Sequence, residues 1–165
     1  MRFESDSFWY RYIYPKNLTL FSKEKLVAPE ISLGGNFSYD KKGHFYSTTK
    51  IYGYIKKEQC EFSYMFLLGI LNSNLFWFFI QKTGYVLRGG YYAFKTNYVS
   101  PFPIPDYNIL NKKLISMVEN EAEILLKNQH SEAECLFHRK RIDDVIYAIY
   151  NLSEEEKRTV SLFSV

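Results

Sequence analysis

The sequence predicts an α+β fold, in which a small, mostly antiparallel sheet packs on one long apolar helix and a C-terminal helical tail follows. Residues 25–57 alternate apolar and polar side chains between turn-forming residues, which is the pattern of half-buried strands. Residues 62–82 are almost continuously apolar, which is typical of a buried helix. Beyond residue 106 the apolar positions recur at the spacing of amphipathic helices.

The strands are predicted in three stretches. KLVAPEIS (25–32) indicates a strand with Pro29 at an edge or a bulge, because proline has no N–H to donate to a neighbouring strand. NFSYDKKGHFYSTT (36–49) predicts a hairpin that turns at its DKKG sequence. IYGYIKK (51–57) alternates again and predicts a further strand.

The apolar helix is also the chain's candidate for a membrane span. FSYMFLLGILNSNLFWFFI (62–80) has a borderline length, but Asn72, Ser73 and Asn74 stand at its centre, where lipid would leave their polar groups unpaired. We therefore predict a helix buried in a protein core and no membrane association. The helix should end before Gly84, which suits a left-handed helix cap.

The tail begins after SPFPIPD (100–106), whose three prolines exclude both a helix and a central strand. We place the domain boundary there, with one domain at residues 1–105 and a helical tail at residues 106–165. A first helix of the tail should run to about residue 128. Two more helices are predicted by capping-box patterns, Ser131 with Glu134 and Ser153 with Glu156.

Positive charge and aromatic side chains concentrate in the first domain. Residues 1–105 hold 13 Lys and Arg against 7 Asp and Glu, a balance of +6, while residues 106–165 hold 8 against 11, a balance of −3. By the same division, 26 of the 31 Phe, Trp and Tyr residues precede residue 106. A polyanion such as nucleic acid would therefore bind the first domain.

The sequence lacks the patterns of the common catalytic sites. It contains no GxGxxG or GxxxxGK(S/T) loop for nucleotide phosphates, and no Asn-Pro-Pro-Tyr motif of the kind with which methyltransferases hold a target amine. The spacing of His130, Cys135 and His138 matches no zinc pattern. We predict no catalytic residue, no metal site and no cofactor in this chain. Because Cys60 and Cys135 cannot form a disulfide framework and no signal peptide is recognisable, we expect a reduced, cytoplasmic protein.

YVLRGGYYAFK (85–95) is the segment with the strongest indication of a binding site. Arginine and lysine bind phosphates or guanine edges while flat rings stack on bases, so the segment would suit nucleic acid. A glycine-rich hairpin turn with aromatic side chains in the core has the same composition. The segment alone leaves both interpretations open.

Five stretches, in the order in which they occur, resemble the TaqI-like C-terminal specificity domain, the target-recognition part of a group of restriction-modification enzymes. The resemblance implies that residues 1–105 form a DNA target-recognition domain. It also implies that the helices from residue 106 act as a tail or spacer, as in type I specificity subunits. The stretches are YPKNLTLFSKEKLVAPEIS (14–32), HFYSTTKIYGYI (44–55), FLLGILNSNLFWFFI (66–80), LRGGYYAFK with YVSPFPIP (87–105) and IDDVIYAIYNLSEEE (142–156).

The family implies a partner domain as well as a DNA ligand. Such a domain clamps double-stranded DNA opposite an adenine-specific methyltransferase domain of the same or an associated chain. Methyl transfer on a flipped adenine would take place there, and that domain would hold the cofactor S-adenosylmethionine. A protein-docking module of a larger assembly and a non-specific nucleic-acid binder are the alternatives. Salt dependence and preference for unpaired strands distinguish them from site-specific duplex binding.

The resemblance directs the candidate DNA contacts to the first domain. Arg88 is the first choice for a base or phosphate contact, and Gly89 and Gly90 would let the backbone approach DNA closely. Tyr91 or Tyr92 would face the duplex, since side chains alternate along a strand. The supporting basic and polar contacts are expected from Lys95, Lys41, Lys42, Lys50 and Asn97.

Overall fold

The computed structural model describes residues 17–45, 50–127 and 131–163. Two small antiparallel sheets and seven helices lie within these residues, which confirms the α+β class. The strands are β1 (Lys25–Pro29), β2 (Ile31–Ser32), β3 (Ser38–Asp40), β4 (Ile51–Tyr54) and β5 (Tyr92–Ala93). The helices are α1 (Leu18–Phe21), α2 (Tyr64–Leu71), α3 (Asn74–Thr83), α4 (Thr96–Val99), α5 (Lys112–Lys127), α6 (Glu132–Ile149) and α7 (Glu154–Ser161).

β1 is the central strand of a three-stranded antiparallel sheet, with β3 on one side and β4 on the other. The single strand predicted over residues 25–32 is divided, because β2 leaves this sheet and pairs with β5 in a second one. Pro29 lies beyond Val27, where the pairing of β1 with β3 ends, so at this residue β1 is paired, among the described residues, with β4 alone and has one open edge, which agrees with the predicted edge position. It takes the last position of the central strand, where its missing N–H removes at most one hydrogen bond from the end of the sheet.

The hairpin predicted at residues 36–49 is wrong in its described part. β3 pairs with β1 instead of with the chain that follows the turn. His44 and Phe45 do not continue as a strand, because both backbone N–H groups donate to the Asp40 carboxylate at 3.0 Å. Residues 46–49 lie outside the described residues.

The same carboxylate belongs to a buried ion pair. Lys25 Nζ lies 2.5 Å from Asp40 Oδ2, and each side chain is 2% exposed. Burial alone would raise the pKa of the Asp40 carboxyl, but hydrogen bonds from Lys25, Phe45 and His44 lower that pKa to about 2. The carboxylate therefore stays ionised at neutral pH. Removing either partner would leave the other charge buried and uncompensated.

The long apolar helix predicted over residues 62–82 is two helices. α2 and α3 are bent by 58° against each other at the break between them. Ser73 caps α3, because its hydroxyl oxygen accepts the Phe76 N–H at 3.2 Å. The Asn72 amide accepts from the Phe37 N–H at 2.9 Å and donates to the Phe37 carbonyl at 3.0 Å. The polar residues at the centre of the apolar run therefore break the helix and tie the break to the sheet.

No single helix among the described residues is long and apolar enough to cross a membrane. α2 and α3 together have that length and composition, but only as a pair bent by 58°. Their apolar side chains form the centre of the protein core, where Phe66, Ile70, Phe76 and Ile80 are fully buried. The left-handed cap predicted at Gly84 is wrong, since its backbone is extended, with φ −84° and ψ 171°.

Aromatic rings join the sheets to the apolar helices. The ring of Phe76 on α3 meets Phe37 in edge contact, with centroids 5.7 Å apart, and meets Phe94 at 6.0 Å. Phe37 also contacts Tyr54 of β4, with centroids 5.3 Å apart. Edge-to-face pairs of this kind stabilise a core beyond the area that they bury. Most of the described aromatic residues before residue 106 belong to this core or pack against it.

The tail packs on the first domain through α5, which crosses α2. A Cβ built on Gly69 would lie 2.5 Å from Val118 Cγ1, so the two helices approach as closely as glycine permits. One hydrophobic core contains residues from both sides of residue 105. The division of the chain at that residue stays a prediction. Both capping boxes predicted in the tail are confirmed at the starts of α6 and α7.

Candidate nucleic-acid interface

Residues 85–93 form a short hairpin, which we call the RGG hairpin. Leu87 N–H donates to the Tyr91 carbonyl at 2.7 Å, and Val86 pairs with Tyr92 as an isolated bridge. The second arm contains β5, which pairs with β2 on its other side. The second arm therefore joins the hairpin to the rest of the fold, whereas the tip of the hairpin extends beyond the residues that pair in the second sheet.

The tip of the RGG hairpin consists of Arg88, Gly89 and Gly90. Gly90 N–H donates to the Leu87 carbonyl at 3.2 Å, which closes the turn. Gly89 has φ 86° and Gly90 has φ 80°, a region of backbone conformation that side chains disfavour. All three tip residues are exposed. The segment is therefore a glycine-rich hairpin turn, and this turn projects Arg88 into solvent.

The two adjacent tyrosines point to opposite sides of the hairpin, as the alternation of side chains along a strand predicts. Tyr92 is half-buried, with its ring in edge contact with Trp77 at 5.3 Å. Tyr91 is 45% exposed. Tyr85, 58% exposed, lies on the same side as Tyr91, because it pairs across the hairpin with Ala93. The sequence pattern does not single out Tyr85, because only the pairing of the two arms assigns it to that side.

The hairpin is anchored by the residue that follows it. Phe94 is fully buried, and its N–H donates to the Glu30 carbonyl at 2.8 Å. Lys95 is the N-cap residue of α4, and Asn97 lies in the first turn of this helix. Both side chains are exposed. The buried phenylalanine therefore holds these two polar residues next to the base of the RGG hairpin.

Lys50 also lies next to the base of the RGG hairpin, although it is distant from the hairpin in the sequence. Glu30 N–H donates to the Lys50 carbonyl at 2.8 Å, so the backbone of Glu30 joins Lys50 to Phe94. The Lys50 ammonium lies 3.5 Å from Glu30 Oε2, and its side chain is 78% exposed. An ion pair this exposed stabilises a protein by at most about 1 kcal/mol, so it leaves the ammonium available to a phosphate.

Lys41 and Lys42 lie at the other end of the three-stranded sheet. They follow β3, which ends opposite the start of β1, whereas Lys50 precedes β4, which begins opposite the end of β1. The four residue steps between these two ends correspond to about 13 Å. The pKa of Glu123 on α5 is lowered mainly by Lys127 and also by Lys41, which places Lys41 near the tail. The structure therefore separates these two lysines from the RGG hairpin.

No group of three or more His, Cys, Asp and Glu side chains within the described ranges is placed to hold a metal ion. His138 Nδ1 lies 2.6 Å from Glu121 Oε2, in the interface of α5 and α6. Cys135 is half-buried. His130, the third residue of the set considered for zinc, lies outside the described residues.

A family model described as the TaqI-like C-terminal specificity domain matches residues 5–104. The match covers 100 of the 165 residues, which is about three fifths of the chain. It contains the RGG hairpin and all the other candidate contacts. The tail helices α5, α6 and α7 lie outside the matched residues. The fifth stretch that resembles the family, residues 142–156, therefore lies outside them as well.

Proposed function

This chain belongs to the TaqI-like C-terminal specificity domain family, and we propose that it reads a target sequence in double-stranded DNA for a restriction-modification enzyme. A specificity domain is a non-catalytic module. The observation that carries the proposal is the RGG hairpin, which presents Arg88 on a turn anchored through Phe94. It lies in the part of the chain that is both basic and matched by the family.

Arg88 has the chemistry for reading a base. The guanidinium fork matches the O6 and N7 acceptors of guanine in the major groove, and such a bidentate contact discriminates by about 1–3 kcal/mol. Gly89 and Gly90 add no side chain between the turn and the duplex. Because the hairpin is paired along one arm, less conformational freedom is lost when it binds than for a flexible loop.

The remaining exposed residues of this region would position the duplex. Lys50 and Lys95 would bind phosphates, which fix orientation without reading sequence. Asn97 would donate a hydrogen bond to a phosphate or a base edge. Tyr91 and Tyr85 would place their rings against the sugars or bases, whereas Tyr92 is held in the core by Trp77.

We propose that catalysis belongs to an adenine-specific methyltransferase domain of the same or an associated chain. That domain would hold S-adenosylmethionine and take the flipped adenine. The present chain would supply the opposite side of a clamp around the duplex. The present chain would then select the DNA site, and the other domain would transfer the methyl group.

The proposal is tested by binding to DNA at several salt concentrations. The chain is incubated with a randomised duplex library, the bound fraction is sequenced, and the affinity for enriched duplexes is measured. We expect one sequence to be enriched and the affinity to fall steeply with salt, because bound phosphates release counterions. A docking module would show neither effect. A non-specific binder would prefer unpaired strands and enrich no sequence.

Two pairs of lysines provide a matched comparison within this experiment. Replacing both Lys50 and Lys95 by Gln should reduce the slope of log affinity against log salt by about 2, because each lost phosphate contact removes about 0.9. Replacing both Lys41 and Lys42 by Gln changes the net charge equally at the other end of the sheet, and should leave the slope unchanged. Equal slopes for the two variants would contradict the proposed interface.

A further inference from the structure

The N-terminal half of α6 has an uncovered side. In the second half of the helix this side carries Asp143 and Tyr147, which are buried. Asp143 accepts the Asn74 N–H of α3 at 2.8 Å. Leu136 lies seven residues before Asp143, which is two helical turns, and therefore points to nearly the same side. The Leu136 side chain is 60% exposed to solvent, and that of the neighbouring Phe137 is 57% exposed.

The exposed residues of this half form a continuous strip. At 100° per residue, Ala133, Leu136, Phe137 and Lys140 fall within a strip about 100° wide. All four are exposed. The strip faces away from α5, which packs on the opposite side of α6, where His138 bonds to Glu121. Leu136 and Phe137 at the centre of the strip are adjacent, large and more than half exposed, so they form a small apolar patch that a partner could cover.

The charges beside the strip alternate in sign along the helix. Glu132 and Arg139 are seven residues apart and follow one edge of the strip, while Glu134 and Arg141 follow the other edge. On each edge the acidic residue stands at the N-terminal end and the basic residue at the C-terminal end. A second helix with the same pattern in the opposite direction would place each acid beside a base. The pattern is therefore complementary to itself in an antiparallel arrangement.

We propose that this strip binds the same strip of a second copy of the chain. The two α6 helices would lie antiparallel about a two-fold axis that passes between Leu136 and Phe137. Leu136 would then pack on Phe137 of the partner subunit, and Glu132 would face Arg139 of the partner subunit. Glu134 would face Arg141 of the partner subunit, although Glu134 also forms the capping box of α6 and Arg141 pairs with Glu121 of its own chain, with Nη2 3.0 Å from Oε1. The pair of Glu132 with Arg139 of the partner subunit is therefore the main charge contact. Such an isologous contact closes at two copies.

The size of the strip predicts a weak dimer. About two helical turns from each copy bury far less than the roughly 1,200 Å² at the lower end of stable interfaces. Charge pairing at the edges would supply the specificity of the arrangement more than its affinity. We expect a dimer that forms at high micromolar concentrations and dissociates on dilution and in high salt.

The test is sedimentation equilibrium of the full chain over a wide range of concentrations. Replacing both Leu136 and Phe137 by Glu should abolish the dimer, and because both side chains are exposed the helical circular dichroism should not change. Glu132→Arg alone and Arg139→Glu alone should each weaken the dimer several-fold, because each brings like charges together at two places. The Glu132→Arg, Arg139→Glu double variant should restore it. Lys113→Glu, which makes the same charge change as Arg139→Glu but on the exposed side of α5, is the control for that variant.

A wild-type chain that stays monomeric at every concentration would overturn the proposal. A dimer that persists in the Leu136, Phe137 variant would use another surface and would overturn it as well. If the charge-exchanged double variant fails to recover the affinity that both single variants lose, the antiparallel arrangement is wrong. None of these outcomes depends on DNA binding.

Discussion

Arg88 owes its position to the two residues that follow it. The positive φ angles of Gly89 and Gly90 turn the chain within three residues, so that Arg88 is exposed while Phe94 is already buried. A side chain at either glycine would strain this turn. The arginine is therefore held at the end of a short, paired hairpin rather than on a mobile loop, and its replacement has a definite expected effect.

We expect Arg88→Ala to weaken binding to the selected duplex by about 1–3 kcal/mol and to relax the preference at a single base position. Loss of one bidentate guanine contact is the physical reason. The measurement is the affinity for the selected duplex and for its single-base variants. Arg158→Ala, on the exposed surface of α7 outside the family match, serves as the control. Unchanged affinity and unchanged preference in Arg88→Ala would remove this residue from the interface.

Asp143 shows how one buried carboxyl makes stability depend on pH. Its two oxygens accept the Asn74 backbone N–H and side-chain amide, both at 2.8 Å. Burial raises the pKa of the Asp143 carboxyl from 3.8 to about 6, although the Asn74 N–H opposes this shift. The folded protein thus holds the proton more tightly than the unfolded chain. The corresponding stability is present below about pH 4 and is lost as the pH rises through about 6.

We therefore expect Asp143→Asn to flatten the pH dependence of the free energy of unfolding between pH 4 and pH 7. The asparagine side chain still accepts from the Asn74 N–H but carries no charge, and a two-unit shift corresponds to about 3 kcal/mol as an upper limit. Urea unfolding at several pH values measures the difference between wild type and variant. Glu155→Gln, on the exposed side of α7, should leave the slope as it is. A wild-type slope retained in Asp143→Asn would assign the pH dependence to another group.

At the scale of secondary-structure elements, the start of a helix could be predicted from the sequence where its capping residues lie within four positions of each other. Ser131 and Ser153 each have a glutamate three residues later, and both capping boxes form. Ser73 caps α3 equally well, but the residue three positions on is Phe76 and not Glu or Gln. The break between α2 and α3 is fixed by distant partners, Phe37 and Asp143, which no local pattern contains. The sequence therefore predicts an apolar helical region correctly and its continuity wrongly.

The crossing of α2 and α5 depends on Gly69. We expect Gly69→Ala to destabilise the protein by about 1–3 kcal/mol, although alanine is the better helix former by about 1 kcal/mol. The new Cβ would lie 2.5 Å from Val118 Cγ1, and Val118 is fully buried. Val118→Ala removes that methyl group, so the double variant should be more stable than the sum of the two single effects predicts. Additive effects in urea unfolding would show that the two residues do not meet.

At the scale of the molecule, the candidate site could be predicted in part. The family likeness and the composition of residues 85–95 direct attention to the RGG hairpin before its pairing is known. Which cations lie beside it depends on strand register, because Lys50 and Lys41 both flank strands of the same sheet. The register places Lys50 next to Glu30 and Lys41 at the opposite end of the sheet. The alternation of apolar and polar residues in the sequence does not show that these two lysines lie at opposite ends of the sheet.

The predicted boundary at residue 105 crosses a single hydrophobic core. The described residues of the tail contribute six buried apolar side chains to it, five of which are Ile or Val and are each worth about 1.5–3 kcal/mol on burial. Their sum, roughly 10 kcal/mol, is comparable to the whole stability of a typical domain. The side chains are Ile115, Val118, Ala122, Ile142, Val145 and Ile146.

We therefore expect the whole chain to unfold in one transition, and residues 1–105 alone not to hold a fixed tertiary structure. Without α5, the face of α2 at Gly69 would be open to water. Far-ultraviolet circular dichroism and tryptophan fluorescence should give coincident urea transitions for the whole chain. The shortened chain should show no cooperative transition and should be cleaved rapidly by protease. If residues 1–105 unfold cooperatively by themselves, the tail is a separable appendage, and the shared core is less important for folding than its burial indicates.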